Sequence, residues 1–270
     1  MDGADRSGVP VRMQGGVKSH IPALMFADDL VALSRSRTGI ERMARQVTYW
    51  TVENEMRVGI QKCELMVVNK PRSVLQQTPD QWQIAGEPVP VVSEYTNLRL
   101  RFTENLGVPT ILSERVAEGK RLVDTLTPFL RTRVIPVPMK VAMVRGVVIP
   151  RLLFGAEVYG MNKAITESME VLLNQVWRMV GGMNRNSTIL TFAIWREMGT
   201  PPICAMAAAR RARALQKCRK LRTWVRYLVE EPFKHKCKTW VTGMNTWMNT
   251  YAHRLAHLAI ADAPEGIKEA

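Results

Sequence analysis

The sequence predicts an α+β fold, in which antiparallel hairpins with a packed helix come first and helices follow. Residues 1–104 hold short runs of strand-forming residues separated by turn residues, and from residue 105 onward apolar residues recur at helical spacing. With 270 residues, of which 46% are hydrophobic, the chain can bury a substantial core. We expect three regions: a hairpin region (1–104), a helical region (105–183) and a basic helical extension (184–270).

The chain carries a large positive charge, with 38 Lys and Arg against 24 Asp and Glu, a net charge of +14 and a pI near 10.1. Such an excess favours polyanionic partners, nucleic acid first and an anionic membrane surface second. The N-terminal residues lack the apolar core of a signal peptide, and no later stretch has the pattern of a membrane span. The scattered cysteines suit free thiols in a reducing compartment. We therefore expect an intracellular protein of the cytoplasm or nucleus, neither secreted nor membrane-inserted, and the oligomeric state stays open.

The segment IPALMFADDLVALS, residues 21–34, predicts a β-hairpin, because apolar runs lie on both sides of a polar tip. Asp28 and Asp29 form that tip. One interpretation is a plain turn, since Asp is common in turns and bonds to its own backbone. The other is a rigid mount for a metal-binding carboxylate, because Mg²⁺ prefers hard oxygen ligands. Neighbouring strand residues point to opposite faces, so only one of the two aspartates can face a metal squarely.

The rest of the hairpin region predicts a helix, a strand and a second hairpin. Thr38 and Glu41 match a capping box that would begin the helix. A turn at Gly59 leads into a strand, and short strands around Ile84, Val91 and residues 98–102 predict a second hairpin. The apolar stripe expected to pack on the sheet contains Ile40, Met43, Val47 and Trp50.

Three amphipathic segments predict the main helices of the two later regions. Gly181 and Gly182 are placed to end the second of these helices, and the third is expected to run unbroken from Pro202 to Glu231. The expected buried faces are Leu112, Val116, Val123, Leu126 and Leu130 in the first, Met169, Leu172, Leu173, Val176, Trp177 and Val180 in the second, and Ala207, Ala214, Cys218, Leu221, Val225 and Leu228 in the third.

Five segments, in order, carry a resemblance to a known family. The first is FADDLVALS, which matches a box of an aromatic residue, any residue and two aspartates; a helix, a strand, a hairpin and a helical stretch follow. The matching residues are Asp28, Asp29, Gly59, Ile60, Lys62, Met66, Gly86, Val92, Tyr95, Leu98, Pro150, Leu153, Gly155 and Glu157. In this order and spacing, residues 21–183 resemble the reverse transcriptases of non-LTR retrotransposons, from the late polymerase palm into the all-α thumb.

The resemblance implies RNA-directed DNA synthesis by two-metal phosphoryl transfer, with an RNA template, a DNA primer, deoxynucleotides and Mg²⁺. It implies that Asp28 binds the catalytic Mg²⁺ and that Asp29 has a secondary catalytic and metal-binding role at the same tip. Lys62 would lie near the phosphates of the incoming nucleotide, as a charge stabiliser or as a proton donor to the pyrophosphate.

The resemblance also implies that Tyr95, Leu98 and Arg99 belong to a hairpin that grips the primer strand. Two residues depart from the family pattern in this hairpin. The glycine that follows Leu98 in the family is Arg99 here, and the preceding aromatic residue is Asn97. A flexible residue is thus replaced by a bulky cation at the turn.

A larger departure lies before the first hairpin. The family carries its first metal-binding aspartate on an upstream strand, whereas Asp2 and Asp5 stand in no matching strand pattern. Asp28 alone cannot hold two Mg²⁺ ions around a reacting phosphate. We therefore expect a truncated reverse transcriptase domain that is catalytically inactive as an isolated chain.

The basic helical extension is the second candidate site, because basic side chains neutralise phosphates and the nearby Trp224 and Tyr227 could stack on bases. The alternative is a solvated helix face with Trp224 in the core. At the level of function the alternatives are a non-catalytic nucleic-acid-binding remnant and a helical protein-interaction module. The candidate nucleic-acid-binding residues are Arg210, Arg211, Arg213, Lys217, Arg219, Lys220, Arg222 and Arg226.

Overall fold

Strand pairs come first along the chain and helices follow, which confirms the predicted α+β class. The computed structural model describes residues 8–12, 18–68, 82–160, 163–184, 190–230 and 239–251. The chain divides into two compact units. We call them the hairpin unit (Met1–Leu106 with Arg219–His235) and the helical unit (Gly107–Cys218 with Lys236–Ala270).

Ten short strands form five two-stranded sheets in the described part of the hairpin unit. The antiparallel pairs are β1 (Val9–Arg12) with β2 (Lys18–Ile21), β3 (Ala23–Phe26) with β4 (Asp29–Ala32), β6 (Trp82–Ile84) with β7 (Glu87–Val89), and β9 (Glu94–Asn97) with β10 (Leu100–Thr103). The parallel pair is β5 (Leu65–Met66) with β8 (Val91–Val92). A lone two-stranded pair is only marginally stable in water, so these strands depend on what packs against them.

Two of the hairpins close through residues in the left-handed backbone region. Ala85 and Gly86 join β6 to β7 with φ of 52° and 84°, and Leu98 and Arg99 join β9 to β10 with φ of 48° and 62°. Two successive positive φ angles match the type I′ turn, whose twist suits the flanking strands.

The single second hairpin predicted from strands around Ile84, Val91 and residues 98–102 is therefore wrong in its pairing: Ile84 and residues 100–102 belong to two separate hairpins, and Val91 lies in the parallel pair. The β9–β10 turn forms without the family's glycine, and Leu98 and Arg99 hold a conformation that glycine adopts more readily.

Helix α1 (Arg37–Glu53) begins earlier than its sequence pattern suggests. The side chain of Ser36 accepts a hydrogen bond of 3.2 Å from the backbone N–H three residues later, so Ser36 is the N-cap. The predicted capping box of Thr38 and Glu41 is wrong. Thr38 lies inside the helix, and Glu41 instead forms an ion pair of 2.8 Å with Arg37.

The buried side of α1 differs in part from the predicted stripe. Met43 is only 6% exposed, as expected, and Thr51 is also buried. Trp50 is 55% exposed, so its predicted place in the stripe is wrong. The buried residues Gly39, Met43 and Thr51 are four or eight positions apart, with Val47 half-buried between the last two, and this spacing leaves Trp50 beyond the edge of the packed face.

The core of the helical unit forms where α2 (Val108–Arg131) packs against α6 (Lys163–Val180). All six predicted face residues of α6 are buried, and Leu112, Val123 and Leu130 are buried on α2. Gly119 permits the close packing, because a Cβ at this position would lie 3.1 Å from a methyl group of Leu172 on α6 and would clash with a methyl group of Leu152.

Between these two helices the chain makes a bent helical run. Its parts are α3 (Val137–Met143), a π-helical turn (Val144–Val148), α4 (Ile149–Leu152) and α5 (Ala156–Tyr159). The wide π-helical turn accommodates Pro150, whose ring has no N–H to donate to the preceding turn. Tyr159 is buried, and its hydroxyl donates a hydrogen bond of 2.8 Å to the carbonyl of Leu152.

The last described helices are α7 (Thr191–Glu197), α8 (Ile203–Lys220), α9 (Trp224–Glu230) and α10 (Trp240–Tyr251). The predicted single helix from Pro202 to Glu231 is therefore wrong. Residues 221–223 interrupt it, and the carbonyl of Thr223 accepts the N–H of Arg226, which starts a new helix at a residue type favoured at N-caps. In the described stretches of the chain, no helix combines the length and the apolar character needed to cross a membrane.

Candidate nucleic-acid interface

The tip of the β3–β4 hairpin presents two aspartates to solvent. Ala27 and Asp28 form the two-residue turn, with Ala27 at φ 53°, and Asp29 begins β4 opposite Phe26. Both aspartates are exposed. The first predicted hairpin is confirmed, and its strand pair holds both carboxylates where a ligand from outside can reach them.

The aspartates alone do not complete a metal centre. Mg²⁺ demands near-octahedral oxygen coordination, and a two-metal site needs carboxylates from more than one segment. Among the described residues, no group of three or more His, Cys, Asp or Glu side chains is arranged to hold a metal ion. Asp2 and Asp5 lie outside the described residues. The residues that the structure describes do not fit a two-metal centre, and the metal role of Asp28 and Asp29 stays a prediction.

An open groove of about 610 Å³ lies in the hairpin unit. Lys62 enters it from the end of a 3₁₀ turn (Ile60–Lys62), and Tyr95 enters it from β9. Two residues that the sequence singled out from separate segments therefore line one groove. Its other walls are Glu64, Arg101 and residues 91–94 and 96.

Charges of both signs surround this groove. Arg101 forms an ion pair of 2.8 Å with Glu94, which neutralises part of the basic wall. Lys62 and Glu64 are both exposed. The groove wall thus carries two cations, Lys62 and Arg101, and two carboxylates, Glu64 and Glu94, with no excess of positive charge.

The ionisation of Tyr95 links the groove to the aspartate hairpin. Burial raises the pKa of Tyr95, and the negative charges of Asp29 and Glu64 raise it further. Asp29 therefore lies within electrostatic reach of the Tyr95 hydroxyl. Neither Asp28 nor Asp29 belongs to the groove wall.

The predicted primer-gripping turn lies between groove-lining residues in the sequence but does not itself line the groove. Leu98 and Arg99 cap the β9–β10 hairpin and do not line the groove, whereas Tyr95 and Arg101 of the same hairpin do. Leu98 is 45% exposed at the turn. The hairpin thus has a groove side and a solvent tip.

Two of the predicted nucleic-acid-binding arginines donate hydrogen bonds to backbone carbonyls within the helical unit. Arg210 donates a hydrogen bond of 3.0 Å to the carbonyl of Leu153. Arg211 donates bonds of 2.7 Å to the carbonyls of both Gly160 and Trp240, and its guanidinium lies 5.2 Å from the Trp240 ring. Burial lowers the pKa of Arg211. Their contacts fasten α8 to the chain before α6 and to α10.

The remaining basic residues fall into two groups. Arg213 and Lys217 are exposed and lie one helical turn apart on α8, and Arg222 is exposed after its end. Arg226 pairs with Glu230 at 2.8 Å, and Arg219 and Lys220 each have an intramolecular interaction. Trp224 and Tyr227 contact each other with ring centroids 6.5 Å apart, and both are half-buried. The exposed basic pair of α8 is the part of this extension best placed for phosphates.

Sequence reasoning missed two features of the hairpin unit. Glu64 and Arg101 both line the groove. Side chains alternate between the two faces of a strand, and this alternation along β10 could have indicated the placement of Arg101. The exposed aromatic side of α1, at Tyr49 and Trp50, was hidden by the apolar pattern that includes Trp50. Tyr49 lies outside that apolar pattern, and this position was the available signal that its ring would be exposed.

Comparison with protein-family models found no match for this chain, and comparison with curated proteins found none either. The case for a function therefore rests on the motifs in the sequence and on the residues that the structure brings together.

Proposed function

We propose that this chain is a segment of a reverse transcriptase domain of the non-LTR retrotransposon type, which binds a primed RNA template and does not extend the primer on its own. The hairpin unit then corresponds to the later part of a polymerase palm and the helical unit to a thumb. RNA-directed DNA synthesis is the ancestral activity in this proposal.

The observation that carries the proposal is the groove that two motif residues from separate segments, Lys62 and Tyr95, line together. Asp29 stands on an exposed hairpin within electrostatic reach of Tyr95, and Tyr95 lines one groove with Lys62. These residues come from three separate segments of the sequence. A carboxylate, a phosphate-attracting lysine and a hydroxyl-bearing ring near one groove suit a nucleotide or a primer end.

The proposed lack of activity follows from the ligand set. Phosphoryl transfer by two metals needs carboxylates that clamp both ions, and the described residues offer Asp28 and Asp29 from a single tip. A polypeptide that supplies a further carboxylate would be needed to complete the centre. Binding has no such requirement.

Binding to the template follows from the charge distribution. The net charge of +14 attracts a polyanion, and Arg213 and Lys217 present adjacent exposed cations on α8. Such contacts release counterions, so affinity falls steeply as salt rises. The same pair would support the alternative function, a non-catalytic nucleic-acid-binding remnant.

Primer extension tests the catalytic part. Purified protein and an Asp28→Ala variant are given a DNA primer annealed to RNA, deoxynucleotides and Mg²⁺. We expect no extension by either protein. Extension by the wild type that disappears in the variant would overturn the proposed inactivity and would require another carboxylate near Asp28.

Salt-dependent binding tests the second part. We expect Arg213→Gln with Lys217→Gln to reduce the slope of log affinity against log salt by about two, since each phosphate contact contributes about one. The charge-matched control replaces Lys120 and Arg121, which are exposed on α2. Equal losses in both double variants would indicate a net-charge effect. Absence of binding by the wild type at low salt would favour a helical protein-interaction module.

A further inference from the structure

The bent helical run between α2 and α6 (residues 137–152) turns an uncharged side to solvent. A solvated helix face normally carries polar and charged side chains. Here Met139 is 58% exposed and Val147 is 41% exposed, and Met143 is half-buried between them at the same helical spacing. A continuous exposed apolar face on a packed element indicates a surface that contacts a partner. We call this face the outer stripe, and its members are Met139, Ala142, Met143, Gly146, Val147 and Pro150.

The cations of this run lie beside the outer stripe rather than on it. Arg145 donates a hydrogen bond of 2.7 Å to the carbonyl of Gly199. Arg151 forms an ion pair of 3.2 Å with Glu118 on α2, and Lys140 is buried. The charged side chains of the run thus contact the rest of the helical unit, and the apolar ones face the solvent.

The charge along the border of the outer stripe is positive. The hydrogen bonds of Arg145 go to neutral groups, which do not cancel its charge, whereas Glu118 offsets the charge of Arg151. On α7, next to the groups that Arg145 contacts, Arg196 and Glu197 offset each other. A negatively charged partner therefore fits this border, and a second copy of the chain, which carries the same border, is repelled. Residues 125–156 contain no Asp or Glu and five cations, Arg131, Arg133, Lys140, Arg145 and Arg151.

We propose that the outer stripe binds an amphipathic α-helix of a partner polypeptide, whose apolar side lies on the stripe and whose flanks carry Asp or Glu. The stripe follows one helical run for roughly 17 Å, about three turns of a partner helix. Gly146 in its middle leaves open space, because nothing lies within 4 Å of a Cβ at this position, so a second helix can approach closely there. The proposal goes beyond the function proposed above, which assigns no role to this run.

The composition of the outer stripe argues against two other ligands. Helices that lie in a membrane interface carry Trp, Phe or Leu on the apolar side and exposed Lys or Arg beside it. The stripe carries smaller residues and two methionines, which adapt to different protein surfaces, and Lys140 is buried. Nucleic acid needs cations or aromatic rings at the contact, and the six members of the stripe include neither.

The test measures binding of the full chain to a synthetic helical peptide of about five turns, labelled with fluorescein, by fluorescence anisotropy. The peptide carries Leu along one side, Glu on both flanks and Ala elsewhere. A matched peptide carries Lys in place of each Glu. We expect the acidic peptide to bind at least about tenfold more tightly than the basic one, and its affinity to fall as salt rises.

Two variants separate binding from folding. Gly146→Gln fills the open space without a clash inside the helical unit, so it should weaken peptide binding about tenfold while the urea midpoint of unfolding stays at or above that of the wild type. Val147→Asn removes an apolar contact and should weaken binding by a similar factor. Val171→Asn is the matched control, because Val171 is 52% exposed on α6, outside the stripe, and it should bind as the wild type does.

No saturable binding of the acidic peptide, equal binding of both peptides, or equal losses in Val147→Asn and Val171→Asn would overturn the proposal. So would self-association in sedimentation that Val147→Asn abolishes, since the stripe would then bind a second copy. Flotation with phosphatidylserine vesicles that the same variant abolishes would likewise overturn it in favour of a membrane surface.

Failure of this proposal is distinguishable from failure of the proposed function. Gly146→Gln should bind the primed RNA template as the wild type does, and loss of template binding would mean that the stripe contacts nucleic acid instead. The double variant Arg213→Gln with Lys217→Gln should keep its preference for the acidic peptide. Peptide binding without template binding would reject the proposed function alone.

Discussion

The hairpin unit and the helical unit bury their apolar residues to very different degrees. The twelve largest fully buried side chains of the described residues all belong to the helical unit, among them Leu130, Trp177 and Met244. In the hairpin unit Met25 is 77% exposed and Phe26 is 65% exposed. The candidate chemistry thus lies in the unit with the weaker core.

The candidate groove and the two aspartates thus belong to the unit with less buried apolar surface, whereas the exposed basic pair of α8 belongs to the helical unit. Buried apolar area supplies most of the favourable free energy of folding, at about 25 cal/mol per Å², so the helical unit should be the more stable. The hairpin unit holds its candidate residues on short sheets whose edges are unpaired in the described part. Such edges pair readily with an added strand, so the hairpin unit should gain most from a partner.

The largest expected contrast comes from two tryptophans. Trp177 is fully buried on α6, and Trp177→Ala should destabilise the helical unit by about 3–5 kcal/mol through lost burial and an unfilled cavity. Trp50→Ala on α1 removes the same side chain from an exposed position and should change stability by about 0.5 kcal/mol or less. Urea denaturation followed by circular dichroism measures both. Equal destabilisation by the two variants would show that α1 is packed as tightly as α6.

A smaller contrast comes from two glycines of the helical unit. A Cβ at Gly160 would lie 2.5 Å from the carbonyl oxygen of Ala207, so Gly160→Ala should force α8 away and destabilise by about 1–3 kcal/mol. Gly146→Ala, in the π-helical turn, meets nothing within 4 Å and should stabilise by about 0.5–1 kcal/mol. Thermal denaturation distinguishes the two signs. A neutral Gly160→Ala would mean that α8 yields without loss, and that the core is looser than its burial suggests.

The pH dependence of the helical unit tests the start of α8. Glu170 accepts the N–H of Ile203 at 2.6 Å, and burial raises the pKa of Glu170 above its ordinary value of 4.5, although the backbone hydrogen bonds oppose this. The folded state therefore keeps the proton to higher pH than the unfolded chain does. Stability from this group is full below about pH 4.5 and falls as pH rises through the raised pKa, by at most about 1.4 kcal/mol per pH unit.

Glu170→Gln should remove that fall, because the amide does not titrate and can still accept the N–H of Ile203. The measurement is the urea midpoint across the acid to neutral range, with the wild type alongside. Glu167→Gln, an exposed change on the same helix, is the charge-matched control. Parallel curves for the wild type and Glu170→Gln would mean that the carboxylate is better solvated than its contacts indicate.

Local rules in the sequence predicted the regular elements well where one physical effect dominates. The six-residue apolar face of α6 is buried as predicted, because a 3.6-residue period leaves little choice of packed side. Gly181 and Gly182 end that helix as predicted, with Gly182 at φ 66° and the N–H of Met183 bonded to Arg178 at 2.9 Å.

The rest depended on contacts between distant segments, which no local pattern contains. Arg210 and Arg211 look like a solvated basic run in sequence, yet the carbonyls that receive them lie about fifty residues away. The groove likewise joins Lys62 to Tyr95 and Arg101, and only the folded chain shows that Leu98 and Arg99 are outside it. The hairpin with two aspartates was predictable, and its neighbours were not.

The smallest expected effect concerns the turn at Leu98 and bears on the weaker unit. Leu98 holds φ of 48°, a region that costs a bulky residue roughly 1–2 kcal/mol and that asparagine tolerates better. Leu98→Asn should therefore stabilise the hairpin unit, by up to about 1 kcal/mol after the loss of its partial burial.

Leu24→Asn is the matched control, because Leu24 is 50% exposed on β3 with no positive φ, and asparagine is disfavoured in strands. Hydrogen exchange of the hairpin amides measures both changes. Slower exchange in Leu98→Asn and faster exchange in Leu24→Asn would show that strain in this turn causes part of the low stability of the hairpin unit. If Leu98→Asn instead speeds exchange, the side chain of Leu98 contributes more by packing than its backbone loses by strain, and the hairpin unit is weak through its poor burial alone.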